Sequence, residues 1–166
     1  YWTSSSIYTG DKTTDFTTMF TSMNTTMPAP GTGTSPTDPQ EVMILVTDGM
    51  ADQTISGGSC QGVSNRGCQQ LTSAHITQCG TIKNRNIRIA VLYTEYLASS
   101  IQNSGLSFAD AIAINNIPQI EPQLQACAST NPDGSKLYQK VAFGGDVTAA
   151  LNTLFAMSLK TARLTQ

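Results

Sequence analysis

The first thirteen residues are polar and their few apolar side chains follow no period. From Thr14 the pattern turns helical: Phe16, Met19, Phe20 and Met23 recur at i, i+3, i+4, i+7, and Met27 continues the stripe. Thr14 or Asp15 is placed to cap this helix. Its many threonines, β-branched and stiff at χ1, work against a long one. Pro28 to Pro39, broken by prolines and glycines, reads as loop. The run from Glu41 to Thr47 is short and almost continuously apolar, the pattern of a strand covered on both faces in a parallel sheet. Asp48-Gly49 ends it, and residues 53–67 are a Gly/Ser-rich loop.

Leu71, Ala74, His75, Cys79 and Ile82 share one face of a second helix. Ile87 to Thr94, entered through Asn84-Arg85-Asn86, is a second buried strand. Residues 95–116 look irregular, with a helical turn around Phe108–Ile114. Pro118 and Pro122 suit the start of a helix running on through Leu124 to Ala128. Asn131-Pro-Asp-Gly134 is a turn, and Leu137–Phe143 a third, weaker strand. Gly144-Gly145-Asp146 opens the clearest helix, capped by Asp146. Its expected buried face is Val147, Ala150, Leu151, Leu154, Phe155, Ser158, Leu159 and Ala162.

Alternating strands and helices predict an α/β fold: Rossmann-like, doubly wound, mostly parallel, with helices on both faces. Residues 1–40 form a Thr/Pro/Gly-rich lead-in with one short helix, and 41–166 the main body. Three buried strands are few for such a sheet, and nothing before residue 41 reads as a strong neighbour for the 41–47 strand. The expectation is that the first strands are missing from this chain or are supplied by a partner, with self-association along 41–47 as one route. The opening Tyr1-Trp2 likewise reads as a cut from something longer.

Charge narrows the function classes. Nine basic and eleven acidic residues leave a net charge of −2, which argues against nucleic acid as a partner. No apolar run approaches the roughly 20 residues that span a bilayer. Cys60, Cys68, Cys79 and Cys127 include no C-x-x-C pair, so two disulfides in an oxidising compartment fit better than zinc. Of the three pairings, Cys60–Cys68 closes a short loop and Cys79–Cys127 ties two helix ends. His75 is the only histidine and falls on a buried helical face, which suits packing or capping better than general-base work. Glu95, Asp110 and Lys83 read as solvated, and Glu121 and Asp133 have no evident partner. Asp48, at the carboxyl end of a buried strand, stands where open α/β sheets bind ligands.

Val42-Met-Ile-Leu-Val-Thr-Asp-Gly49 resembles the fourth-strand motif of von Willebrand factor A (vWA) domains. Pro28-Ala-Pro-Gly-x-Gly-x-Ser, Asp38-Pro-Gln, the block from Cys79 to Thr94, Leu124-x-Ala-Cys-Ala-Ser129 and the tail Thr161–Gln166 are similar, in order, to TadG-like pilus-assembly proteins. The resemblance implies the C-terminal part of a vWA-like domain in a bacterial tight-adherence (Flp) pilus system. Such a domain is periplasmic or at the cell surface, anchored to the inner membrane through an N-terminal segment absent here. It implies a non-catalytic binding module that contacts other pilus-assembly proteins or a surface ligand. The family's adhesion-type metal site would be represented by Asp48, with the threonine ligand to come from Thr32 or Thr34 in the loop before the strand. The Asp-x-Ser-x-Ser segment of that site occurs nowhere in the chain. Mg²⁺ wants about six oxygens, so the expectation is no cofactor in this fragment and Mg²⁺ only in a full-length domain. The alternative is a secreted α/β hydrolase or phosphoryl-transfer enzyme using Asp48, with Asp52 as the closest second carboxylate.

Overall fold

The structure is a computed structural model; it describes residues 14–33, 35, 37–51, 71–99 and 108–163, and in the last stretch the side chains of 114–159. Three strands, β1 (Val42–Thr47), β2 (Arg88–Thr94) and β3 (Tyr138–Val141), form one parallel sheet in the order β1-β2-β3. Val42 pairs with Arg88 and Thr47 with Tyr93, while Val91 pairs with Tyr138 and Thr94 with Val141. The helices are α1 (Phe16–Thr26), α2 (Ser73–Asn84), α3 (Phe108–Cys127) and α4 (Val147–Arg163). Helices α2 and α3 are the two crossovers. The chain is thus α/β with a small parallel sheet, compatible with a Rossmann-like arrangement.

The pleat of the strands divides the core in two. Met43, Leu45, Ile89, Val91 and Tyr93 point to one face, where Phe16 and Phe20 of α1, Cys79 and Ile82 of α2, and Ile120 and Leu124 of α3 pack on them. Ala90, Leu92 and Val141 point to the other, against Leu137 and Leu154 of α4. Local signals start each element. Asp15 caps α1, accepting the Thr18 amide at 3.0 Å. Arg85 closes the other end of α1, donating to the carbonyls of Asn24 and Met27. Asp146 caps α4 through the Ala149 amide at 2.9 Å.

Four expectations are corrected. Residues 108–127 are one continuous helix, with Pro118 and Pro122 inside it. Both prolines are exposed and lie one turn apart, so the carbonyls deprived of an amide partner face water rather than the core. Secondly, β1 is an edge strand among the described residues and is not sandwiched. Met43 and Leu45 are buried, but Ile44 and Val46 are 41% and 53% exposed. Thirdly, half of the expected buried face of α4 is open: Val147, Leu151, Phe155 and Leu159 form an exposed stripe. One geometry explains both surfaces. Helix α4 sits over β2 and β3, which leaves the β1 end of that sheet face without a helix over it among the described residues. An apolar hollow of about 370 Å³ remains there, lined by Val42 and Ile44 on one side and Phe155 and Leu159 on the other. Ala74, expected on the buried face of α2, is also exposed.

Candidate functional site at the carboxyl edge of the sheet

Parallel pairing brings the carboxyl ends of all three strands to one edge. Asp48 follows β1 there with its side chain exposed. Its Oδ1 accepts the Met50 amide at 3.0 Å, and the Gly49 amide donates to Thr47 Oγ1 at 2.9 Å. Gly49 is buried with φ +76, and a Cβ built on it would lie 2.1 Å from Ile120 Cγ2. Only glycine combines that backbone with so close an approach to α3. The turn presenting Asp48 is therefore clamped by the helix beneath it.

What Asp48 can do alone is limited. Among the described residues no group of three or more His, Cys, Asp or Glu is arranged to hold a metal ion. Thr32 is committed elsewhere: its amide and hydroxyl both bond Asp38. That loop precedes β1, and Asp48 follows the strand. Thr34 and Asp52 lie outside the described residues. One exposed carboxylate, with one oxygen bonded to an amide, does not make a site for a hard cation that wants about six oxygens.

A second set of charges at this edge has no signal in sequence spacing. Lys140 of β3 pairs with Glu95 at 2.9 Å and with Glu121 of α3 at 3.0 Å. Its Nζ lies 5.7 Å from the centroid of the Tyr93 ring, on its register partner. Tyr138 donates to Glu121 at 3.1 Å. Hydrogen bonds to Glu95 and Glu121 raise the Lys140 pKa above the usual lysine value, and the Lys140 bond holds Glu95 low. Burial, then the charge of Glu121, pushes the Tyr138 phenol well up. Tyr93, Glu95, Glu121 and Lys140 flank an open hollow of about 450 Å³ with Tyr96 and Gln125. Their charges are spent on one another, which fits bracing of α3 against the sheet better than acid–base chemistry. Glu95 and Glu121 are thus partnered, contrary to expectation. Lys83 is half-buried rather than solvated and donates to the Ala126 carbonyl at 3.2 Å.

His75 is buried and serves as a cap. Its Nδ1 accepts the Thr72 amide at 2.9 Å, closing a capping box at the start of α2. An accepting Nδ1 carries no proton, so the proton is on Nε2, 3.1 Å from Thr17 Oγ1. Burial lowers the His75 pKa, with the Asp15 charge opposing. Cys79 and Cys127 form a disulfide with Cα atoms 5.4 Å apart, joining the middle of α2 to the last residue of α3. Cys60 and Cys68 lie outside the described residues. No helix among the described residues is long and apolar enough to cross a membrane. Compared with protein-family models, with curated proteins and with solved structures, the chain matches none.

Proposed function

We propose that this chain is a non-catalytic binding and assembly module that makes its contact along the β1 edge and the apolar face beside it. One observation carries the reading. Ile44, Phe155 and Leu159, all large, apolar and more than 40% exposed, line one groove beside a strand edge that is unpaired among the described residues, and Val46 and Leu151 on the same strand and helix are exposed as well. Contiguous exposed apolar surface of this kind marks interaction sites. The strand itself carries no charge, proline or glycine to discourage pairing.

The resemblance to TadG-like proteins supports placing the module in a tight-adherence pilus system, as the C-terminal part of a vWA-like domain. The Cys79–Cys127 disulfide supports an oxidising, extracytoplasmic compartment, periplasmic or at the cell surface. Other pilus-assembly proteins or a second copy of the chain would then add a strand to β1. In a two-fold pair the β1 strands run antiparallel, and both α4 stripes fall on the same side of the joined sheet.

Sedimentation equilibrium across the micromolar range tests this reading. The wild-type chain should associate as its concentration rises. Val46→Lys, placing a charge on an exposed edge position, should weaken association by about tenfold or more. A wild-type chain that stays monomeric would overturn pairing with a second copy, and a variant that associates equally well would overturn the edge as the contact surface.

A further inference from the structure

The amino-terminal edge of the sheet, at the far end of the strands from Asp48, has a different chemistry. An open hollow of about 480 Å³ lies there, lined by Gln40, Lys83, Asn86, Arg88, Ser129 and Asn131 among others, and its only charged lining residues are the two cations. Arg88 is 8% exposed. Its guanidinium donates to the Ser158 carbonyl at 3.4 Å and to Asn131 Oδ1, both neutral acceptors. Lys83 likewise has a neutral partner, the Ala126 carbonyl. A third cation, Lys136, stands beside them and donates to Thr130 Oγ1 at 2.9 Å. Both ion pairs among the described residues belong to Lys140, so among these residues none of the three cations is in an ion pair. The carboxylates nearest in sequence do not line the hollow: Glu41 lies outside it, and Asp133 is bonded to the Ser135 amide and hydroxyl.

Buried charge without a partner costs several kcal/mol, so proteins pair it or hold it for a ligand. Lys83 feels the deficit, its pKa lowered by burial and then by repulsion from Lys136. Neutral donors complete the surface. Ser129 Oγ accepts the Ile89 amide at 2.9 Å, which leaves its proton to give.

We propose that this hollow is an oxyanion site, in which a phosphate or carboxylate group of a ligand or partner is held by Arg88 and Lys83 and attracted by the field of Lys136. Charge-assisted bonds to an oxyanion are about twice as strong as the bonds to neutral carbonyls that the two cations now make. The guanidinium has five donors in a fixed fork, of which the two neutral contacts use a part. The site lies at the opposite end of the sheet from Asp48 and borders the β1 groove, with which it shares Gln40 and, through the Arg88 bond, Ser158.

Thermal unfolding of the whole chain, titrated with sodium phosphate, sodium acetate or sodium chloride at matched ionic strength, tests the proposal. Phosphate, acetate or both should raise Tm saturably, by about 2 °C or more at the highest concentrations, and chloride should not. Phosphate alone assigns a phosphate ligand; a response to acetate admits carboxylates. Lys83→Gln, on a half-exposed helical position, should fold and weaken the response about fivefold or more. Arg88→Met should abolish it. The proposal is overturned if chloride matches the oxyanions, if no anion acts, or if Lys83→Gln responds like the wild type.

Discussion

The Cys79–Cys127 bridge gives the most direct quantitative test of the fold. It spans 48 residues of sequence, a segment that includes the second half of α2, β2 and all of α3. Opening it frees the unfolded chain more than the folded one. The chain-entropy relation for a loop of that size gives about 14 cal/mol/K, or about 4 kcal/mol at 25 °C. Both cysteines are fully buried in the core between α2, α3 and the sheet. Replacing both with alanine therefore adds a packing loss of about 1 kcal/mol per sulfur. Cys79→Ala/Cys127→Ala should lose about 5–6 kcal/mol in urea unfolding at neutral pH. That is a large part of the 5–15 kcal/mol typical of a domain. The m-value should rise, because an uncrosslinked unfolded chain exposes more surface. A loss under about 2 kcal/mol with an unchanged m-value would refute the loop-closure argument.

Two further outcomes follow from single residues. His75 is held neutral in the core and its folded pKa lies below the unfolded value of about 6.5, so the unfolded state takes up the proton first. Stability should be fully present above about pH 6.5 and fall as pH drops below it, by at most about 1.4 kcal/mol per pH unit. In His75→Gln, which keeps a capping-box acceptor, urea titrations between pH 5 and 8 should be flat; an equal slope in the variant would assign the effect elsewhere, although Asp15, also depressed, acts only below about pH 4. Gly49→Ala combines a left-handed backbone with a clash against Ile120. It should cost about 3 kcal/mol or more, falling toward the 1–2 kcal/mol of the backbone term alone in an Ile120→Ala background. Additive losses in that double-mutant cycle would reject the clash.

What the sequence reveals divides along physical lines. Features decided within a few residues are legible: the Asp15 and Asp146 caps, the Asn131–Gly134 turn and the apolar runs of β1 and β2 all stand where local chemistry puts them. The Cys79–Cys127 pair is legible because few pairings exist. Helix α3 is misread because proline in a helix is weighed by local cost, while tertiary packing of Ile120 and Leu124 outweighs it. The Lys140 cluster is invisible for another reason. Glu95, Glu121 and Lys140 are far apart in the chain and meet only because β2 and β3 are in register and α3 crosses between them. The oxyanion hollow has the same origin, gathering Lys83, Arg88 and Asn131 from α2, β2 and the turn before β3.

The misreading of β1 bears most directly on function. Val42–Thr47 and Arg88–Thr94 have nearly the same apolar character, yet β2 is buried at six of its seven positions and β1 at two of six. Composition reports how much burial a strand can use, and it is blind to how many neighbours are present. A strand that lives at an edge normally shows it, with charge, proline or a bulge turned outward. Here the outward positions are Ile44 and Val46, and the helix beside them brings Phe155 and Leu159 to the groove that Ile44 lines. Two elements from opposite ends of the sequence are therefore apolar toward one uncovered space. Leaving that surface in water forgoes about 25 cal/mol for each Å² that could be buried. Covering it with another strand and apolar side chains would recover that free energy and satisfy, in the same step, the backbone edge that is unpaired among the described residues, which is the physical basis of the proposed contact.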